Sequence, residues 1–142
     1  MILAIDVGNS NIVLGGIDKD KIHFISRIAT DRQKTENEYA VIMRSIFHMN
    51  GVSSDDFEGS IISLVVPSLL PTLHNAVKSL IGKNPLFVEP GLKTGLNILI
   101  DNPAQLGADL VAGAVAAINK YPKPLVIIDM GTATTFSVVD KN

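Results

Sequence analysis

An α/β layered fold with a mixed sheet is the architecture this sequence predicts, and three observations carry it. Three short apolar strands open the chain in immediate succession between Ile2 and Ile28. Strands then alternate with stretches of helical period, and a last pair of strands closes the chain. The 142 residues suffice for one ordinary domain and are too few for two.

Ile2 to Val7 is apolar and runs into Gly8-Asn9-Ser10-Asn11, four turn formers, so a strand enters a tight turn. Ile12 to Ile17 resumes as a strand, Asp18-Lys19-Asp20 turns the chain, and Ile22 to Ile28 completes an antiparallel meander. Thr35 with Glu38 three residues later spells a capping box, and Tyr39, Ile42, Met43 and Ile46 then share one helical face. Gly51 ends that helix. Ser60 to Val66 reads as a buried strand stopped by Pro67. A second helix starts near Pro71, which suits a first turn, and buries Leu73, Ala76, Val77, Leu80 and Ile81 before Gly82. Leu86 to Glu89 is a short strand. Pro90 to Leu106 has little period and is expected to be a long loop with a short strand around Leu96 to Ile100. A third helix, rich in Ala and Gly, spans Ala108 to Asn119. Pro124 to Asp129 is a buried strand, Gly131-Thr132-Ala133-Thr134 turns it, and Thr135 to Val139 starts another.

Composition removes several functions. Lys and Arg number 12 against 14 Asp and Glu, a formal net charge of −2, so no nucleic-acid partner is expected. Apolar residues make up 46% and charged residues 18%, against disorder and in favour of heavily buried elements or a surface that meets a partner. The absence of cysteine removes disulfides, thiolate catalysis and cysteine zinc sites. His23, His48 and His74 match no metal-ligand spacing. The first residues lack the basic region of a signal peptide, and the run from Ile61 to Leu70 is short and broken by Pro67. The expectation is a soluble, cytoplasmic protein without a membrane partner.

The most informative feature is an internal echo. Ile2-Leu3-Ala4-Ile5-Asp6-Val7-Gly8-Asn9-Ser10-Asn11 resembles Val126-Ile127-Ile128-Asp129-Met130-Gly131-Thr132-Ala133-Thr134. In each, an apolar strand delivers an Asp, a Gly follows two positions later, and small polar residues lead into another strand. Gly lets backbone N–H groups approach phosphate oxygens, and Asn, Ser and Thr add neutral donors. A carboxylate beside phosphate requires a cation between them. Two such turns facing each other would clamp nucleotide phosphates and Mg²⁺. The plainer alternative is a pair of ordinary hairpins whose Asp and Gly serve turn chemistry. Gly107-Ala108-Asp109 opens the third helix. Its Asp suits either the positive end of the helix dipole or a base that accepts the proton of an attacking hydroxyl.

Asp6-Val7-Gly8-Asn9-Ser10-Asn11 resembles the first phosphate motif of type III pantothenate kinases. Val65-Val66-Pro67-Ser68, Asn102-Pro103, Gly107-Ala108-Asp109 and Asp129-Met130-Gly131-Thr132-Ala133-Thr134-Thr135 match further segments of that family in order. The resemblance covers the whole chain and implies the actin-like ATPase and sugar-kinase architecture, two ribonuclease H-like domains with ATP between them. Residues 1–123 would be the first lobe and 124–142 the opening strands of a truncated second. The implied activity is ATP-dependent phosphorylation of pantothenate, the first step towards coenzyme A. By the same resemblance, Asp6, Val7, Gly8, Asn9, Ser10, Asn11, Ile12, Val13 and Thr132 bind ATP, with Asp6 near Mg²⁺. Asp109 is the proton acceptor, and Ile100, Gly107, Ala108, Asp109 and Leu110 border the substrate. Asp129 binds a monovalent cation, K⁺ or NH₄⁺, and the protein is a homodimer.

Three departures accompany the resemblance. The family usually follows Gly-Ala-Asp with Arg, where Leu110 stands here, which removes a charge-assisted partner for an acidic acceptor. Ile100 stands where the family often has an aromatic residue. Family members are about twice this length, in keeping with two ordinary domains. A fragment that does not turn over by itself is therefore expected. Two other readings stay open: a kinase for a different hydroxyl acceptor, and a nucleotide-binding regulatory relative, since the related Bvg accessory factor group ties the family to transcriptional control.

The remaining candidates have simpler readings. Lys93 and Lys120 sit in no P-loop and suit a solvated surface. Arg27, Arg32 and Arg44 read as surface residues, although Arg32 in the loop from Thr30 to Thr35 could border a substrate. His74 suits a core edge, Asp101 a turn, and Ser10 and Ser68 lack a nearby His for hydrolase chemistry.

Overall fold

A computed structural model describes residues 1–19, 21–89, 92–102, 106–131 and 133–141. Within them the chain forms two compact units, Met1–Phe87 and Val88–Asn142.

The first unit is built on the expected meander. β1 (Ile2–Val7), β2 (Asn11–Asp18) and β3 (Lys21–Ala29) pair antiparallel, with Val7 opposite Ile12 and Asn11 opposite Ala29. A bulge between Gly16 and Ile17 shifts the second pairing. A Cβ on Gly16 would lie 2.5 Å from the Phe24 ring, so this close approach needs glycine. The chain then crosses over through α1 (Glu36–Met49) to β4 (Gly59–Leu64), which lies parallel to β1 on its other side. A second crossover through α2 (Leu70–Ile81) delivers β5 (Leu86–Phe87) parallel to β4. The sheet order is β3-β2-β1-β4-β5. The sheet is mixed and flanked by helices, as the resemblance implies.

Period-2 burial fixes the register. Leu3, Ile5, Val7, Ile12, Leu14 and Ile62 are buried together with Tyr39, Met43, Ile46 and Phe47 of α1 and Leu73, Ala76, Val77 and Leu80 of α2. Burying each large side chain of this set contributes about 1.5–3 kcal/mol. Ile42 and Ile81, expected on the buried stripes, are only partly buried. Phe47 anchors one end, its ring 4.8 Å from Phe57 and 6.2 Å from Phe24. Both halves of the Thr35–Glu38 capping box form, and Gly51 follows α1 at φ +68. Gly82 ends α2 at φ +70 in the left-handed conformation that a Cβ disfavours.

The strand expected over Ser60 to Val66 starts and ends earlier, and a 3₁₀ turn, Pro67–Leu69, leads directly into α2 one residue before Pro71. The strand expected over Leu86 to Glu89 stops at Phe87.

The second unit has a different character. The strand expected around Leu96 to Ile100 does not form, because neither sheet offers it a partner to complete a ladder. Gly95 takes φ +79 there, and Leu99 is 84% exposed. Downstream, α3 (Ala108–Lys120) contacts both strands of an antiparallel hairpin, β6 (Leu125–Met130) and β7 (Thr134–Val139). Val126, Ile128, Met130, Phe136 and Val138 form one exposed face of that hairpin, so the expectation of a buried strand before Asp129 is not met in this chain. No helix is long and apolar enough to cross a membrane among the described residues.

Candidate active site

Alternation along β1 decides where the first carboxylate points. Leu3, Ile5 and Val7 face the core, which sends Ile2, Ala4 and Asp6 to the opposite face. Asp6 is exposed at the end of that row. Its neighbour in register on β4 is Ser63, on the same sheet face. The Ser63 hydroxyl is buried and finds no hydrogen-bond partner among the described residues. This hydroxyl beside Asp6 was hidden in the sequence, where Ser63 reads only as a small residue in an apolar strand.

The turn after β1 is closed by the Gly8 N–H donating to the Asn11 carbonyl at 2.9 Å. A Cβ on Gly8 would meet that carbonyl oxygen at 3.2 Å, so the bend is fitted to glycine. The N–H groups of Asn9 and Ser10 donate to nothing among the described residues and are free to meet a ligand. Val7 and Ile12 are buried below the turn and Val13 is half-buried. They support the bend through packing.

A second loop braces the turn. Thr30 donates its hydroxyl to the Gly8 carbonyl at 2.7 Å, and its N–H donates to the Ser10 carbonyl at 3.0 Å. Arg32 Nη2 reaches Asn9 Oδ1 at 3.3 Å. The loop itself is pinned by buried Tyr39, whose hydroxyl accepts from the Asp31 N–H and donates to the Asp31 carbonyl. The Asp31 carboxylate accepts from Lys34 Nζ at 2.7 Å and from the Gln33 N–H at 2.9 Å, and these two bonds hold its pKa below the usual carboxylate value. The same ion pair raises Lys34.

The matching turn in the second unit is similar in outline and shorter. Met130 pairs with Thr134, where Val7 pairs with Ile12, so one residue fewer spans the bend. Gly131 N–H donates to the Ala133 carbonyl at 3.1 Å, and a Cβ on Gly131 would meet only ordinary contact at 3.7 Å. Asp129 is exposed and lies opposite Thr135, whose buried hydroxyl has no partner among the described residues. Thr132 lies outside the described residues.

At the start of α3, Gly107 is the N-cap, with no side-chain cap. Asp109 is half-buried in the first turn and accepts from the Leu110 N–H at 2.8 Å. Ala108 and Leu110 are half-buried beside it, and Ile100 is 46% exposed on the preceding loop.

No group of three or more His, Asp or Glu gathers as a cation site among the described residues. A lone carboxylate per turn still fits Mg²⁺, which keeps several waters and takes one or two protein carboxylates together with substrate phosphates. Asp6 is followed by turn N–H groups and flanked by a Ser63 hydroxyl that are unpaired among the described residues, and this set has that donor chemistry.

Residues 2–142 match a family model described as type III pantothenate kinase. A type III pantothenate kinase of an Exiguobacterium species is 47% identical over 99% of this chain and 56% of its own length. The type III pantothenate kinase of Halalkalibacterium halodurans is 45% identical over the same shares. The chain thus spans about half the length of the curated relatives it matches.

Proposed function

The chain belongs to the type III pantothenate kinase family, and from that premise we propose that the full-length protein phosphorylates pantothenate with ATP, a committed entry to coenzyme A. The observation that carries this reading is the turn from Asp6 to Asn11. It sets a carboxylate one residue before the end of β1 and then offers the Asn9 and Ser10 N–H groups, unpaired among the described residues, which suits a metal-bound polyphosphate.

Each residue has a part. The N–H groups and side chains of Asn9, Ser10 and Asn11 cradle phosphate oxygens, and Gly8 lets them approach. Asp6 would hold Mg²⁺. By the family resemblance Thr132 would bind ATP, and Asp129 would hold K⁺ or NH₄⁺. When bound, these cations neutralise phosphate charge. Asp109 accepts the proton of the pantothenate hydroxyl as its oxygen bonds to the γ-phosphorus and the bond to the departing ADP breaks. Gly107, Ala108, Leu110 and Ile100 border the acceptor. Positioning and charge neutralisation supply most of the rate. Residues 1–123 act as the first lobe and 124–142 as the start of the second, in a cytoplasmic homodimer.

In the full-length protein, Asp109→Asn abolishes turnover and largely spares ATP affinity, read by coupled ADP release and by titration calorimetry. Undiminished turnover would remove Asp109 as the base.

A second reading rests on Leu110 and Ile100, which give an acidic acceptor no cation and no aromatic wall. It is a nucleotide-binding relative without pantothenate kinase activity, or one that phosphorylates another hydroxyl. Pantothenate-dependent ADP release by the full-length protein separates the readings.

A further inference from the structure

We propose that Arg32 is a further phosphate ligand, its guanidinium engaging the terminal phosphoryl groups of the nucleotide held by the turn from Gly8 to Asn11. The proposal deepens the nucleotide-binding half of the function proposed above and rests on it.

Three observations point there. First, the Arg32 guanidinium is delivered to the turn itself, with Nη2 3.3 Å from Asn9 Oδ1. That contact uses one of five N–H donors, and no other hydrogen bond engages them among the described residues. Second, its charge is not neutralised locally. The adjacent carboxylate, Asp31, has one oxygen on Lys34 Nζ and the other on the Gln33 N–H, and Arg32 forms no ion pair among the described residues. Third, the segment leading into it is fixed. Thr30 holds the Gly8 and Ser10 carbonyls, and Tyr39 clamps both backbone groups of Asp31. A long side chain on a mobile loop would lose much of its binding gain to ordering, whereas a braced loop has already met that cost.

The chemistry that matches is a phosphate. Asn9 and Ser10 present N–H groups that are unpaired among the described residues, and a planar fork beside them can donate two parallel bonds to phosphoryl oxygens. The Asn9 side-chain oxygen accepts from Arg32, and its amide NH₂ donates to nothing among the described residues. In sequence Arg32 reads as a surface arginine that could border a substrate; the neighbouring ion pair and the bond to Asn9 set it apart from Arg27 and Arg44.

The test uses the full-length protein with AMP, ADP and ATP in the presence of Mg²⁺, titrated calorimetrically against wild type, Arg32→Gln and Arg32→Lys. A lost charge-assisted bond corresponds to about a 10- to 100-fold weakening. The expected result is a loss of that size for ATP in the Gln variant, less than about twofold for AMP, and partial recovery in the Lys variant. The unliganded melting temperatures should stay within about 2 °C of wild type, as for a surface substitution. A loss equal for all three nucleotides, with a lowered melting temperature, makes Arg32 a brace for the turn and overturns the proposal. So does unchanged ATP affinity, or an effect confined to the KM for pantothenate. Should the Gln variant fail to fold, the Lys variant decides through its ATP-to-AMP affinity ratio: an unchanged ratio overturns the proposal and a reduced one supports it. Nucleotide binding needs no acceptor. A wild-type protein without pantothenate turnover would therefore defeat the kinase reading while leaving the Arg32 comparison readable.

Discussion

The hydroxyl of Tyr39 serves two backbone groups of one residue, accepting from the Asp31 N–H at 3.0 Å and donating to the Asp31 carbonyl at 2.7 Å. Its ring is fully buried among the helix and sheet side chains of the first unit. One side chain thereby joins the core to the loop that braces the turn from Gly8 to Asn11. Tyr39→Phe keeps the ring and removes only the polar link, so the cost is that of two unsatisfied, partly buried groups, about 1–3 kcal/mol. Urea unfolding followed by circular dichroism measures it, and an unchanged midpoint would mean that water replaces the hydroxyl without loss. The same substitution frees the loop from Thr30 to Thr35, so ATP affinity should fall with stability.

At the scale of the element, α1 owes its starting point to Thr35 and Glu38. The Glu38 carboxylate accepts from the Thr35 N–H at 2.8 Å and from the Thr35 hydroxyl at 2.9 Å. Those bonds, the backbone one first, hold its pKa below the ordinary value of 4.5. A depressed carboxylate stabilises the fold above its unfolded value, and that contribution disappears as pH falls through the folded one. Acidification below about pH 4.5 should therefore fray the first turn of α1. Glu38→Gln retains the capping geometry and does not titrate. Its urea midpoint should fall less than that of wild type between pH 6 and pH 3.5, and parallel declines would count against the capping box as a source of acid sensitivity. The loop from Thr30 to Thr35 runs straight into this turn, so the same acidification loosens the brace on Asn9.

Across the whole molecule, burial is unevenly shared. All fully buried large side chains, from Leu3 to Val77, lie in Met1–Phe87, whereas α3, β6 and β7 contain no buried residue among those described. Local opening is easiest where few apolar contacts resist it. Amide exchange of this chain should be slowest in β1, β2 and β4, and faster in α3 and the hairpin, by mass spectrometry. Equal protection in both units would show that the hairpin's apolar face is covered in solution.

The meander, the two crossover helices, their caps and their buried stripes were legible in the residues. Period-2 and period-3.6 patterns, Thr35, Gly51 and Gly82 act locally, and local rules set them. The echoed Asp-x-Gly turns were legible too, because an apolar strand ending in a carboxylate needs no distant partner to be seen. The strand expected around Leu96 to Ile100 does not form for the converse reason: a strand exists only when a neighbour accepts its hydrogen bonds. Tertiary structure alone decided that Ser63 stands beside Asp6, that Thr30 and Tyr39 lock the turn, and that Arg32 rests on Asn9. These contacts join residues 8 to 57 positions apart, and only sheet pairing and loop closure bring such residues together.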